Sequence, residues 1–255
     1  MEFVLDGITA FLIVRDEERL LPGCLDSLVG VVDALVVVDT GSTDRTLDLL
    51  EAARERFTDV TIRSRRFEGY GPTRQAGLDL ARTPWALWID ADERLSPGLR
   101  EELLALNDDG SWDALSIPFR NHVLGRVMKC RQLTGQSSVR LFRTGAACID
   151  GAQIHERVVG YRLDRLGCLQ APIDHLTLTN WREYLGKVDR YTTLEAAQDT
   201  QRFRLWHLLA TGPATFLQQY IRRTAIRDGW PGFVWAAMSS WSAVLRDIKL
   251  MRRSG

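Results

Sequence analysis

Short apolar runs separated by amphipathic stretches fill the first hundred residues of the chain. The runs at 8–14, 34–38, 60–62 and 85–89 are apolar on both faces, the pattern of strands covered by helices on each side of a parallel sheet. After the first, Leu20, Leu21, Cys24, Leu25 and Leu28 recur at helical spacing, with Gly30 near the end. After the second, the turn from Thr40 to Asp44 offers an N-cap for a helix reaching about residue 57. After the third, a loop holding Gly69 and Gly71 leads into a helix predicted from about Thr73 to Arg82. Four strand–helix alternations within about 90 residues predict right-handed βαβ units and one parallel sheet.

Beyond Pro97 a helix is expected to about Leu106, and then the pattern changes. Runs at 114–119, 122–128 and 138–142 read as strands in a mixed region lying across one sheet edge. From Asn180 the chain turns helical. Trp181, Tyr184, Leu185, Val188 and Tyr191 form an apolar stripe, continued at 205–209 and 216–221, and residues 230–245 are apolar and aromatic. The expected organisation is an α/β domain over 1–178, with halves at about 1–110 and 111–178, followed by a helical extension over 179–255.

Composition changes this picture little. With 255 residues, 45% hydrophobic and 26% charged, the chain is an ordinary globular sequence able to bury one sizeable core. Its zero formal charge is unevenly spread: residues 201–255 carry nine Arg or Lys against two Asp. A basic segment rich in Trp points to a membrane surface rather than nucleic acid. Cys24, Cys130, Cys148 and Cys168 show no C-x-x-C pairing, which signals neither a zinc site nor a disulfide framework and suits a reducing cytoplasm. The apolar run at 8–14 is short and bracketed by Glu2, Asp6 and Asp16, so it reads as a core strand and not a signal peptide. No window of about 20 apolar residues suggests a membrane-spanning helix.

The chemistry concentrates where the apolar run 85–89 ends abruptly in Asp90, Asp92 and Glu93. Open α/β sheets bind ligands at the C-terminal ends of their strands, and three of the strands here end in acidic residues. Asp90 and Asp92 flank one small residue, so both can reach a hard cation that also holds phosphate oxygens. A strand followed by a polar turn is the plainer account of D-x-D alone, and the flanking motifs weigh against it.

Those motifs are Arg15-Asp-Glu-Glu18, Val38-Asp-Thr-Gly-Ser-Thr-Asp-Arg-Thr46, Gly69-x-Gly-x-x-Arg-Gln-Ala-Gly77 and Asp90-Ala-Asp-Glu93. In this order and spacing they resemble family-2 glycosyltransferases of the GT-A fold, a Rossmann-like nucleotide-sugar-binding domain with a mostly parallel sheet. Asp16 stands where Asn is usual. Val139-Arg-Leu-Phe-Arg143, His155-Glu156, His175, Tyr184-x-x-Lys187-x-x-Arg-Tyr-Thr192 and Asp228-Gly-Trp230 resemble a narrower branch, the bacterial enzymes that glucosylate the heptose of the lipopolysaccharide inner core.

The resemblance implies an inverting, metal-dependent transfer of a sugar, with glucose suggested, from a UDP-sugar to a saccharide or glycolipid at the cytoplasmic face of the membrane. It implies that Asp92 binds Mg²⁺ or Mn²⁺ directly, that Asp90 meets the ribose or the metal's water, and that Asp39 accepts a hydrogen bond from uracil. Glu17 is placed near the same nucleoside; a helix-start charge is its alternative. Arg74 sits by a helix N-terminus suited to an anion, and its guanidinium can add a bidentate contact to uracil oxygen or phosphate; a surface arginine is the alternative.

An inverting transfer needs a base for the acceptor hydroxyl, and Glu156 is the candidate, with Asp150 in reserve. His155 is a candidate to complete the metal shell or to orient Glu156, and His175 is read first as a structural histidine. Arg140 and Arg143 are read as sharing a strand face and holding an anionic acceptor. Lys187 and Arg190 are either phosphate contacts or a solvated helix face. Rival readings are a polyprenyl-phosphate glycosyltransferase, which needs no strong base, and a non-catalytic sugar-nucleotide or membrane-binding module. A dehydrogenase is disfavoured because no G-x-G-x-x-G follows the first strand.

Overall fold

The computed structural model describes residues 7–154, 156–181, 184–186, 188, 189, 192, 193 and 205–254. Two compact units divide the chain: residues 1–119 with 137–175, and residues 120–136 with 176–255.

In the first unit, strands β1 (Ile8–Val14), β2 (Ala34–Asp39), β3 (Asp59–Ser64) and β4 (Trp85–Trp88) alternate with helices α1 (Leu21–Leu28), α2 (Thr46–Ala53) and α3 (Tyr70–Leu78). The sheet order starts β3-β2-β1-β4, all parallel. The register sets Val14 beside Asp39 and Phe11 beside Trp88, so the acidic ends of β1, β2 and β4 share one edge. β5 (Glu93–Leu95) and α4 (Pro97–Leu104) follow, with Ser96 capping α4 through the Leu99 amide at 3.2 Å.

β8 (Ser137–Arg143) then extends the sheet antiparallel to β4, and β6 (Ala114–Val123) pairs antiparallel with β8, so that β6 runs in the sense of β4 again. The 114–119 and 122–128 runs, expected as two strands, are one strand that turns back through Leu124 and Gly125 into β7 (Arg126–Val127). Both turn residues have positive φ, 50° and 75°, as tight hairpins require. β9 (Cys148–Ile149) pairs antiparallel with β10 (Val158–Val159), and β11 (Leu166–Cys168) runs parallel to β6. β12 (Ile173–Leu178) pairs antiparallel with β5, setting His175 beside Glu93. The four short strands β5, β9, β10 and β11 carry too few residues to show a period.

Each sheet face has its own core. One joins Leu12, Leu35, Leu87 and Leu141 to Leu21, Leu25 and Leu28 of α1. The other joins Phe11, Trp88 and Phe142 to Leu78 of α3. A fully buried Leu or Phe side chain contributes about 1.5–3 kcal/mol through removal from water. Trp85, only 1% exposed, also satisfies its indole N–H on Asp108 at 2.9 Å.

The second unit gathers Val123, Met128, Cys130, Leu133 and Leu178 around Trp235. Two helices among its described residues are α5 (Leu205–Leu217) and α6 (Gly229–Ser254), clipped together by Ser240 donating to the Gly212 carbonyl at 2.8 Å. Asp228 of the Asp-Gly-Trp motif accepts from the Lys129 and Cys130 amides, so it braces the 129–130 turn. His155, Lys187, Arg190 and Tyr191 lie outside the described residues.

Candidate active site

The loops after β1 and β2 hold each other. Asp16 adopts φ 55°, a left-handed conformation that Asn and Asp tolerate best among non-glycine residues. Its carboxylate accepts from the Thr43 amide at 2.7 Å and the Thr43 hydroxyl at 3.1 Å. The Glu17 amide donates to Thr46 and the Glu18 amide to Asp44, while Glu18 accepts from the Arg45 amide. Glu17 is half-buried, and its carbonyl starts α1 by accepting from the Leu20 and Leu21 amides. Much of the two motifs is thus loop architecture. Asp39, 3% exposed, accepts from the Gly41 and Ser42 amides, both at 3.1 Å. It lines a cleft of about 400 Å³ with Ser64, Arg65 and Arg66.

At the end of β4 the carboxylates meet two buried arginines. Arg74 donates from Nε to Glu156 and from Nη1 to Asp90, both at 2.6 Å. Burial opposes its charge, but Asp90 and Glu156 outweigh that and hold its pKa above the ordinary arginine value. Burial likewise acts against the Asp90 carboxylate, yet Arg74 and Arg140 prevail and keep its pKa low. Arg140 donates to Glu93 at 2.7 Å and comes within 3.7 Å of Asp90. The Arg74 and Arg140 guanidiniums lie 4.4 and 4.2 Å from the Trp88 ring centroid, within cation–π range. Glu93, 2% exposed, accepts from the Asp90 amide at 2.9 Å. Burial, with Asp90 adding to it, pushes the Glu93 pKa up to about 7 despite Arg140.

Asp92 lies 3.6 Å from Nε2 of His175, brought there by the β5–β12 ladder. No group of three His, Cys, Asp or Glu side chains suited to a metal occurs among the described residues. One carboxylate and one imidazole fit a divalent ion whose other positions come from diphosphate oxygens and water, Mn²⁺ accepting the nitrogen more readily than Mg²⁺. Asp90, committed to Arg74, is less suited to that shell.

Two expectations change. The α3 N-terminus has no amides to spare for an anion: Tyr70 and Gly71 donate to the Gln153 and Ala152 carbonyls, Pro72 has no N–H, and Thr73 donates to Gly69. The loop carrying Glu156 is therefore docked on the start of α3. Gly71 permits that approach, since a Cβ there would sit 2.2 Å from the Asp150 carbonyl oxygen. Gly71→Ala is expected to destabilise the protein and displace Glu156, lowering kcat at least about tenfold through misplacement alone. Steady-state kinetics with thermal unfolding would check this, and unchanged kcat would show that the docking is dispensable. Second, Arg140 and Arg143 are three residues apart, an odd spacing that puts them on opposite strand faces. Arg143 instead covers Trp85 at 4.7 Å and pairs with Asp108.

Asp150, the reserve base, accepts from the Ala152 and Arg157 amides within its own loop. The sequence motifs assign no role to Trp88 or Glu93. Their signal was a carboxylate closing an apolar strand, which demands a buried cation.

The profile of Glycosyl transferase family 2 matches residues 9–154, more than half the chain and the whole of the strand-end constellation except Glu156 and His175. The chain is a family-2 glycosyltransferase. This glycosyltransferase is 31% identical over 257 residues to the lipopolysaccharide core biosynthesis glycosyltransferase LpsC of Rhizobium meliloti, covering 96% of this chain and 92% of LpsC. It is 23% identical to an uncharacterised glycosyltransferase of Rickettsia typhi, covering 97% and 87% of the two chains. Among solved structures, the mannosyltransferase PcManGT of Pyrobaculum calidifontis, in complex with GDP-Man and Mn²⁺, superposes with a TM-score of 0.54 at 15% identity, covering 100% of this chain and 90% of that one. S. aureus TarS 1–349 in complex with UDP gives 0.52 at 14% identity, covering 97% and 90%. These likenesses establish the GT-A architecture.

Proposed function

We propose that the enzyme transfers a sugar, glucose in the first instance, from a UDP-sugar with inversion to a saccharide carried on a lipid, in lipopolysaccharide core biosynthesis. The observation that carries this reading is Arg74, which bridges Asp90 at the donor edge to Glu156 on the loop beyond β9. The likeness to LpsC supports the acceptor class. Asp39 and Glu17 serve the nucleoside, and Asp90 positions Arg74 beside the diphosphate. Asp92, with His175 and His155, would hold Mg²⁺ or Mn²⁺. The metal, when bound, neutralises the charge that grows on the departing diphosphate.

Diphosphate oxygens compete with Glu156 for Arg74 and so release the carboxylate. Glu156 then takes the proton of the acceptor hydroxyl while its oxygen forms the new bond to the anomeric carbon. The bond from that carbon to UDP breaks on the opposite face. Calorimetry with UDP-, GDP- and CDP-sugars, with and without Mn²⁺, tests the donor. One UDP-sugar is expected to bind in a metal-dependent way, with affinity at least about tenfold lower in Asp92→Asn. Tight binding of a GDP- or CDP-sugar would overturn the donor, and no binding would overturn the transferase mechanism.

We further propose residues 1–178 as the GT-A domain and 179–255 as an extension that docks on the inner face of the cytoplasmic membrane. Trp230, 68% exposed, stacks on Phe233 at 5.5 Å, and Ile221 and Ile226 are exposed within the same segment as Arg222, Arg223 and Arg227. No helix among the described residues is long and apolar enough to cross a membrane, whereas this mix suits an interface. Trp230→Ser with Phe233→Ser is expected to cut co-sedimentation with anionic vesicles several-fold while leaving UDP binding unchanged. Full retention on vesicles would rule the anchor out.

A further inference from the structure

A second cleft, of about 540 Å³, opens beside the candidate base and away from Asp39. Trp88, Val139, Val158 and Leu166 give it an apolar floor. Its polar lining consists of Ser116, Ser137, Ser138, Tyr161, Glu156 and the two arginines Arg140 and Arg157.

Arg140 is the unusual member. The residue is 7% exposed, and only Nη2 is paired, with Glu93. Nε and Nη1 are both buried with no hydrogen-bond partner. A buried donor left unpaired costs about 1–3 kcal/mol, and native proteins retain few such groups without a use for them. Nε and Nη1 face different edges of the guanidinium, and each can give a charge-assisted hydrogen bond to an oxygen of a carboxylate or phosphate. Arg157, exposed at the same cleft, adds a second cation, and the hydroxyls of Ser137 and Ser138 are suited to the remaining oxygens.

We propose that this cleft is the acceptor subsite and that it takes an acidic saccharide, one bearing a phosphate or carboxylate besides the hydroxyl that is glycosylated. This rests on the reading of Glu156 as base, because Glu156 lines the same cleft. The anion seats on Arg140 and Arg157, and the sugar ring lies over the apolar floor with a hydroxyl toward Glu156. Arg140 thereby selects the acceptor, while the bond from Nη2 to Glu93 keeps the guanidinium fixed in place.

Ligand-observed NMR titrations separate this from the donor reading. The probes are glucose 6-phosphate, glucuronate, neutral glucose and inorganic phosphate, each added to the full chain saturated with UDP. One of the two acidic sugars is expected to bind at least about tenfold tighter than glucose, and which one it is names the anion. That preference is expected to fall at least about tenfold in Arg157→Gln, an exposed change that spares the fold, and to vanish in Arg140→Met. UDP affinity, read separately, is expected to stay unchanged in Arg157→Gln, which keeps the donor site out of the result. Equal binding of glucose and both acidic sugars, or no binding of any of them, would overturn the proposal. Inorganic phosphate binding as tightly as glucose 6-phosphate would overturn its saccharide part, and displacement of the acidic sugar by UDP would reassign the cleft to the donor. Loss of UDP binding in the wild type would instead sink the donor reading.

Discussion

Glu156→Gln is expected to lower kcat for sugar transfer by about 10²–10⁴-fold, the range a positioned general base supplies. The amide keeps the shape of the side chain and a hydrogen-bond acceptor for Arg74, but it cannot take the proton of an attacking hydroxyl. Arg74 retains its bond to Asp90, so the donor side loses little. UDP-sugar affinity measured by calorimetry is therefore expected to stay within about twofold of wild type, the spread expected where no direct contact is lost. A variant with near-normal kcat would remove Glu156 from the role of base. It would favour a phosphate acceptor that needs no deprotonation, the polyprenyl-phosphate reading.

The second large effect is on stability. Arg74 is 5% exposed and is the hydrogen-bonded cationic partner of both Asp90 and Glu156. Arg74→Met preserves most of the stem but leaves two carboxylates facing each other without their shared cation. Removing one partner of a buried pair costs about 3–5 kcal/mol, whereas replacing the whole pair by neutral groups is often tolerated. Thermal unfolding is expected to register a fall in Tm of about 6–20 °C for a chain of this size. Adding Glu156→Gln and Asp90→Asn to Arg74→Met should restore at least half of the loss. A loss below about 1 kcal/mol for Arg74→Met would mean that water, and not the arginine, solvates the carboxylates. Either result also predicts kinetics, because a site held only by water would not be preorganised.

What the sequence disclosed, and what it hid, divides along physical lines. β1, β2 and β4 were legible because runs such as Leu35-Val-Val-Val38 are apolar on both faces and end on acids. α1 was legible from Leu21, Cys24, Leu25 and Leu28, all buried in the structure. The start of α3 was misread by three residues because its first turn is held by long-range bonds to residues 152–153, which local propensity does not encode. Asp39, Arg74, Asp90 and Glu156 could be nominated from motifs. That Arg74 joins two of them could not, since the partners lie 16 and 82 residues away in sequence. His175 came to Asp92 through the three-residue strand β5, too short to announce itself.

The reversal of strand direction where β8 lies against β4 carries a consequence for how the chain is made. Until residue 143 has left the ribosome, β4 has β1 on one side and an open row of amides and carbonyls on the other. That edge presents Trp85, Ala86, Leu87 and Trp88, an apolar stretch without a charge to discourage pairing with another chain. The first 110 residues are therefore no cassette to be cut out and grafted: such a fragment would keep the strand-end acids and expose a sticky border. The polypeptide closes its own border about fifty residues later in translation, at a delay of seconds.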